Sequence, residues 1–219
     1  MEGAIRPRAE VPGRPRGRRR PVPRSRTAIL ETVEELLRVR RLDELTVAEI
    51  VEAAGVSRAT FYTHFDSKFS VVAALVRDIV NGVYENWRRW FEGDEPADEP
   101  TLRRYTDESV RRWHDHPALL AATVEGWHTD PEIHDLWQRT LDNFSAALAA
   151  RIERDRAAGR QPADDMDALA LATGLCWMAE RALYIAASSP ESVLGSEEAL
   201  ATTWAAIWAR AMRPGPSGG

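Results

Sequence analysis

Apolar residues recur at steps of three and four along most of the 219-residue chain, and residues that cap or break helices separate these stripes. No segment shows the alternation of apolar and polar residues that marks a half-buried strand. The pattern therefore predicts nine helices and an all-α protein. Besides two short helices discussed next, we expect helices near residues 25–41, 66–91, 101–115, 117–127, 131–158, 164–188 and 196–212.

Two short helices joined by a tight turn are predicted within residues 45–68. Thr46 followed three residues later by Glu49 forms a capping box, which starts a helix over 47–54. Gly55 suits the left-handed conformation that ends many helices, and Ser57 caps the next helix. Two helices joined in this way predict a DNA-binding helix-turn-helix, with a plain αα-hairpin of a helical core as the alternative.

The second of these helices, at residues 58–65, resembles the recognition helix of the tetracycline-repressor (TetR) family. Members of that family carry a Tyr-x-His/Tyr-Phe-x-Ser-Lys run here, and five residues match it position by position: Tyr62, His64, Phe65, Ser67 and Lys68. Including 28–37 and 45–56, the resemblance covers about 45 residues and departs from the family at Phe69. It implies a TetR-like fold, with an N-terminal helix-turn-helix bundle and a C-terminal helical domain for ligand binding and dimerisation.

The N-terminal residues of a recognition helix enter the major groove, so roles follow for the residues around it. We expect Arg58, Thr60 and Thr63 to read base edges, with the small Ala59 allowing close approach. The remaining contacts are expected to position the DNA backbone; they involve Thr46, Ser57, Tyr62, His64 and Lys68.

The formal net charge of −5 conceals a basic N-terminus. Residues 1–26 hold nine Arg and two Glu, and residues 1–24 contain little that is apolar, so we expect a disordered arm attracted to DNA phosphates. The alternative is a tail that is basic by chance. The predicted divisions are the arm at 1–24, the DNA-binding domain at 25–68, the ligand-binding and dimerisation domain at 69–213, and a flexible tail at 214–219.

A single cysteine fits a reducing compartment, no secretory signal follows the basic N-terminus, and no run of about 18 apolar residues suggests a membrane span. We therefore expect a soluble cytoplasmic protein without membrane association. The histidines lack the His-x-x-x-His spacing of a helical metal site, and no phosphate loop or nucleophile elbow is present. No enzymatic activity and no cofactor are predicted.

All eight tryptophans lie from Trp87 onward, which is typical of either a large core or an aromatic ligand cavity. The family resemblance favours a cavity, and segments 136–144 and 178–181 look most like the branch that controls ethionamide activation in mycobacteria. The wall that this resemblance implies consists of Leu102, Trp113, Trp137, Leu141, Phe144, Cys176, Ala179 and Trp208. That branch carries amide side chains where Cys176 and Ala179 stand, so the polar contact to the ligand is in question.

The last two helices are expected to form a homodimer interface that includes Ala170, Gly174, Arg181 and Trp204. Glu180 and Arg181 could pair across the dimer or point into the pocket. Near the pocket they are expected to neutralise each other, so the effector should be lipophilic and largely uncharged. The chain is thus interpreted as a regulator, most simply a repressor, that a hydrophobic small molecule releases from a palindromic operator in double-stranded DNA. An architectural helix-turn-helix dimer without an effector is the alternative.

Overall fold

The computed structural model describes residues 24–161, 166–189 and 191–212. Within these residues the chain forms nine α-helices and no strand, which confirms the predicted all-α class. The helices are α1 (Arg24–Leu37), α2 (Val47–Ala53), α3 (Arg58–His64), α4 (Lys68–Glu92), α5 (Glu99–His114), α6 (Pro117–Trp127), α7 (Pro131–Ala157), α8 (Ala168–Ser188) and α9 (Glu197–Ala211). Of the arm predicted at 1–24, the structure describes only Arg24, which is the first residue of α1, and the tail predicted at 214–219 falls outside the described residues.

Several predicted helix boundaries are wrong. Helix α8 begins at Ala168, after its cap Asp167, rather than near residue 164. Helix α1 ends at Leu37 rather than at Arg40-Arg41, because the chain turns there and buries Leu42 under the helix, leaving Val39 80% exposed. Helix α5 begins at Glu99, inside the loop expected at 93–100, because the side chain of Asp98 accepts a hydrogen bond from the backbone N–H of Thr101.

The first three helices and the start of α4 pack into one small core. Helix α1 contacts α2, α3, α4 and α6, and so holds the N-terminal bundle against the rest of the protein. The side chains that meet there are almost fully buried, and they are Ile29, Val33, Leu37, Leu42, Leu45, Ile50, Phe61 and Phe65. Burial of such apolar side chains contributes about 1.5–3 kcal/mol each. The exposed surfaces of α2 and α3 are thereby fixed relative to α4.

Helix α4 runs for 25 residues and contacts α1, α5, α6 and α7. Gly82, in its middle, faces the guanidinium group of Arg112 on α5, whose Cζ would lie 3.0 Å from an added Cβ. A side chain at Gly82 would displace this guanidinium, so the glycine serves close packing between α4 and α5.

A buried arginine fastens the loop after α4 to α7. The Arg151 side chain is fully buried, and its Nε donates to Asp155 Oδ2 at 2.7 Å. The same guanidinium donates to the carbonyl oxygens of Trp90, Gly93 and Glu95 and lies 4.4 Å from the centre of the Trp90 indole. Because a buried charge needs partners, the Asp155 carboxylate and the loop carbonyls fix this end of the bundle.

Among the described residues, one helix is long and apolar enough to span a membrane by length and composition. It is α8, with 21 residues, a mean hydropathy of 1.2 and 33% of that window buried. The expectation that no segment reaches this level is therefore wrong for α8. A core helix of a soluble protein passes the same test, and α8 packs against α5, α6, α7 and α9.

Candidate DNA interface and internal cavity

The turn between α2 and α3 has the geometry that the sequence predicts. Thr46 and Glu49 form the capping box, and Gly55 adopts a φ of 64°, a conformation that side chains other than glycine rarely adopt. Ser57 caps α3 by accepting a hydrogen bond from the backbone N–H of Thr60 at 3.0 Å. With Phe61 fully buried beneath it, α3 presents a fixed outer face.

The outer face of α3 consists of small and hydrogen-bonding side chains. Arg58, Ala59 and Thr63 are exposed, and Tyr62 is 51% exposed with its ring edge-on to Phe61. The Thr63 hydroxyl donates to the Ala59 carbonyl at 2.8 Å. Arg58 is the first residue of α3 and lies at the end of the helix that enters a major groove. Its guanidinium is the longest hydrogen-bond donor at that end.

Lys68 and His64, both expected to contact DNA, have hydrogen-bond partners inside the protein. Lys68 Nζ donates to the carbonyl oxygens of Leu42, Asp43 and Leu45 at 2.7, 3.1 and 2.7 Å. These bonds use all three N–H donors of the ammonium. His64 Nε2 is hydrogen-bonded to Ser25 Oγ at 2.8 Å. Both side chains connect helices of the N-terminal bundle and act as internal ties.

The hydroxyl of Thr46 is also engaged, since it donates to Glu49 Oε2 at 2.7 Å. The other oxygen of Glu49 accepts a hydrogen bond from Arg40 Nη1 at 2.8 Å. These contacts, first that of Arg40 and then those of Thr46, lower the pKa of Glu49 to about 2. The carboxylate at the start of α2 is therefore charged across the physiological range.

A cavity lies between α4, α5, α7, α8 and α9 and encloses about 70 Å³. Its wall is almost wholly apolar and is formed by Val80, Val83, Trp87, Trp113, Trp137, Thr140, Leu141, Phe144, Cys176, Ala179, Glu180, Leu183, Trp204 and Trp208. Sites for drug-sized ligands usually measure about 300–1,000 Å³. The cavity of this structure is therefore smaller than such a site.

Most of the residues expected at the ligand site lie in this wall. Leu102 does not, because it is fully buried on α5, a helix that packs mainly against α9. Glu180, for which pairing across a dimer or an orientation into the pocket was expected, lies in the wall. Trp87 and the apolar residues of α4 also line the cavity and were not predicted there. The sequence feature that indicates these α4 residues is the stripe of apolar residues along α4, which continues through Val80 and Val83 into the tryptophan-rich part of the chain.

The aromatic rings of the wall form two groups. Trp87 stacks on Trp204 at 5.8 Å and lies 5.0 Å from Trp208, while Trp113 meets Trp137 edge-on at 5.8 Å. The indole N–H of Trp87 donates to Ser109 Oγ at 2.8 Å. Those of Trp204 and Trp208 are buried without a hydrogen-bond partner among the described residues. The cavity wall thus contains two unsatisfied donors.

Two titratable groups face the cavity. Burial raises the pKa of the Cys176 thiol to about 11, so the thiol is protonated and unreactive at neutral pH. Glu180 is 6% exposed, and burial raises the pKa of its carboxyl, although Arg181 and Trp137 act in the opposite direction. Arg181 lies outside the wall with its side chain 54% exposed, and its Nε is 3.8 Å from Glu180 Oε2. The ion pair expected between Glu180 and Arg181 is therefore long and half exposed.

The outer face of α8 is open. Ala170, Gly174 and Arg181 are exposed there, as is Leu169 at 52%. A Cβ added at Gly174 would meet no atom within 4 Å, so nothing among the described residues packs on this position. Trp204, expected at the same interface, is 5% exposed and points into the cavity instead.

Helix α6 connects the N-terminal bundle to the cavity-bearing helices. At its start His116 Nδ1 lies 2.6 Å from Glu34 Oε1 of α1, and near its end Glu125 lies 2.6 Å from Arg41 Nη2. Helix α6 also contacts α4, α7 and α8. Both ends of α6 therefore contact the part of the protein that carries α2 and α3.

Within the described residues, no group of three His, Cys, Asp or Glu side chains is arranged to hold a metal ion. The polar features that remain are the exposed face of α3 and the few polar atoms of the cavity wall. The arrangement suits recognition of other molecules.

Comparison with known proteins agrees with this reading. The profile of the bacterial regulatory proteins of the tetR family matches residues 29–75, and that of the C-terminal domain of the transcriptional regulator EthR matches residues 102–213. The chain is 31% identical to HTH-type transcriptional regulator EthR of Mycolicibacterium smegmatis over 191 residues, 86% of this chain and 88% of that protein. EthR of Mycobacterium tuberculosis is 32% identical over 174 residues, 78% of this chain and 80% of its own length. The structure of the fatty acid degradation regulator FadR from Bacillus halodurans shares the fold, with a TM-score of 0.69 at 14% identity over 88% of this chain and 97% of that one.

Proposed function

The chain belongs to the TetR family of helix-turn-helix transcriptional regulators, and from this we propose that it is a homodimeric repressor that a hydrophobic small molecule releases from a palindromic operator. The main support for this proposal is that α4 connects the DNA-binding end to the cavity. Its first residue, Lys68, is hydrogen-bonded to the turn before α2, and farther along it Val80, Val83 and Trp87 line the cavity. A ligand that moves this wall acts on the helix that fixes the position of α3.

Helix α6 supports the same coupling. It contacts the cavity-bearing helices α7 and α8, and its two ends are paired with Glu34 and Arg41 of the N-terminal bundle. A shift of α6 changes both contacts together. Release of DNA then follows from a ligand that binds the shifted conformation better than the DNA-binding one.

We assign the dimer interface to the open face of α8, with Ala170, Gly174 and Arg181, together with the exposed Ile207 of α9. A second copy on this face covers Leu169 and doubles the DNA contact. Two recognition helices then meet half-sites about 34 Å apart, one turn of the double helix.

In this proposal residues 25–68 bind DNA and residues 69–213 hold the ligand and the dimer interface. The nine arginines within residues 1–26 add phosphate contacts that carry no sequence information. In this proposal the protein acts in the cytoplasm, without enzymatic activity and without a cofactor.

The small cavity favours a second candidate. At about 70 Å³ it is below the size of most ligand sites, and a well-filled aromatic core is what an architectural helix-turn-helix dimer without an effector needs. The two unpartnered indole N–H groups of Trp204 and Trp208 favour the effector instead, because a core without a ligand leaves these donors unsatisfied.

The deciding experiment selects an operator from random-sequence DNA with the full-length protein. The complex is then challenged with a panel of lipophilic compounds, and DNA release and melting temperature are measured together. We expect a palindromic operator, one or more protein dimers bound to it, and compounds that both stabilise the free protein and release DNA. Operator binding that no stabilising compound weakens would favour the architectural candidate.

A further inference from the structure

Resting on the effector function proposed above, we propose that the effector is a hydrophobic amine whose protonated nitrogen pairs with Glu180 while its apolar body contacts the tryptophans of the cavity. This class of ligand differs from the uncharged one that the sequence suggests. It follows from the polar atoms that the cavity wall leaves without partners.

Glu180 is the only acidic residue of the cavity wall among the described residues. Only 4% of its side chain is accessible, and its Oε2, which lies 3.8 Å from Arg181 Nε, has no hydrogen-bond partner among the described residues. A buried carboxyl oxygen without a donor is costly, so a group that donates to it from inside the cavity gains the full value of the contact. The side chain of Glu180 thus defines one end of the ligand.

The surroundings of Glu180 favour a cation over a neutral donor. No basic residue lines the cavity in the described part of the chain, and the nearest guanidinium, that of Arg181, stays outside at 3.8 Å. Five tryptophans and one phenylalanine make up six of the thirteen other wall residues. Aromatic faces attract ammonium groups, most strongly where water is excluded. A negatively charged head group, in contrast, would meet the carboxylate directly.

The other end of the ligand contacts α9. Trp204 and Trp208 are buried there with indole N–H groups that lack acceptors among the described residues, and Trp87 packs against both rings. An ether or carbonyl oxygen in the apolar body of the amine satisfies these donors. The three unpartnered atoms thereby describe one amphipathic molecule, with a donor near α8 and an acceptor near α9.

Three probes with one skeleton and different head groups test this inference: phenylbutylamine, phenylbutanol and phenylbutanoate. Their affinities are measured by calorimetry on the full-length wild-type protein and on Glu180→Gln, which keeps the shape of the side chain and removes its charge. Glu153→Gln serves as the matched control, since Glu153 is an exposed carboxylate on α7. DNA release by each probe is measured in parallel.

We expect the amine to bind wild type at least tenfold more tightly than the alcohol, and the carboxylate to bind weakest. Glu180→Gln should remove this preference while Glu153→Gln preserves it. Equal affinities of amine and alcohol, both releasing DNA, would overturn the amine and leave the proposed repressor intact. Failure of every probe to bind or to release DNA would overturn the amine together with the effector half of the proposed function. Because the wild-type comparison needs no variant, the test holds even if Glu180→Gln folds poorly.

Discussion

Lys68 donates a hydrogen bond from its Nζ to the carbonyl oxygen of Leu45, at 2.7 Å, and so ties the first residue of α4 to the turn before α2. Two further carbonyl oxygens in that turn accept from the same ammonium. Lys68 is also the one lysine in a chain that otherwise uses arginine. A compact ammonium with three donors fits a ring of carbonyls better than a planar guanidinium does.

Replacement of Lys68 by Met should therefore lower the free energy of unfolding by about 1–3 kcal/mol, because charge-assisted bonds to partly buried carbonyls are lost. Urea unfolding measures this change. DNA affinity should fall for all sequences, but the slope of log K against log salt should stay constant. A decrease of about 0.9 in that slope would show that Lys68 contacts a phosphate after all.

Arg58→Ala should relax sequence specificity without changing stability, since Arg58 is exposed at the start of α3. Loss of one base contact costs about 1–3 kcal/mol of discrimination at a single operator position. Binding to a set of operators with single base changes reveals that position. Tyr62→Phe, the comparison variant, should weaken all operators alike. An equal loss at matched and mismatched operators for Arg58→Ala would contradict the assignment.

Gly174→Arg should weaken the dimer at least tenfold while leaving the protomer folded. A Cβ at Gly174 meets nothing within 4 Å inside the protomer, so only a second copy can clash with the new side chain. Sedimentation equilibrium gives the dissociation constant and circular dichroism the fold. Glu153→Arg adds a charge of the same sign on α7 and serves as the control. If both variants dimerise as wild type does, the interface lies elsewhere.

Ala179→Leu should fill the cavity, since Ala179 is 4% exposed in its wall and the cavity encloses about 70 Å³. Lipophilic compounds should then no longer raise the melting temperature. The bulkier Ala179→Trp should force the walls apart, at about 1–3 kcal/mol of overpacking, and reduce DNA affinity as a ligand does. Ala146→Leu, on the exposed side of α7, is the control for added bulk. Unchanged DNA affinity in Ala179→Trp, with compounds still stabilising it, would place the ligand site elsewhere.

Glu180→Gln should stabilise the protein near neutral pH. Burial raises the pKa of Glu180, so the folded state holds this proton more tightly than the unfolded state does. The resulting stability is present at acidic pH and is lost as pH rises through the raised pKa. The difference in melting temperature between variant and wild type should therefore grow from about pH 4 upward. Glu153→Gln should show no such trend. A difference that is constant with pH would show that Glu180 remains protonated or finds a partner.

The helices and their caps could be predicted from the sequence because they depend on neighbours in the chain. The capping box of Thr46 and Glu49 and the positive φ of Gly55 both follow from residues only a few positions apart. The spacing of apolar residues likewise identifies the buried face of a helix. It does not identify the helix that covers that face.

The residues whose positions were predicted wrongly all depend on which helix or segment packs against them, and the sequence pattern does not show this. Leu102 and Trp204 are both buried, but Leu102, expected in the cavity wall, lies outside it, and Trp204, expected at the dimer interface, lines the cavity. The partners of Lys68 are backbone carbonyls 23 to 26 residues away, which no sequence spacing reveals. Glu180 was recognised as a charge in an apolar helix, but its position in the cavity wall required the packing of α7 against α8.

In the function proposed above, the small cavity sets how much effector a cell has to accumulate before transcription starts. When only about one molecule in a hundred is open, the apparent dissociation constant is about a hundredfold weaker than that of the open form. Traces of a fitting compound then leave the operator occupied. A smaller side chain in place of one wall tryptophan that touches no ligand would raise the open fraction and shift the whole dose–response curve to lower concentrations. The packing of the aromatic rings thus sets the effector concentration at which DNA is released. This concentration can be changed without altering any ligand contact.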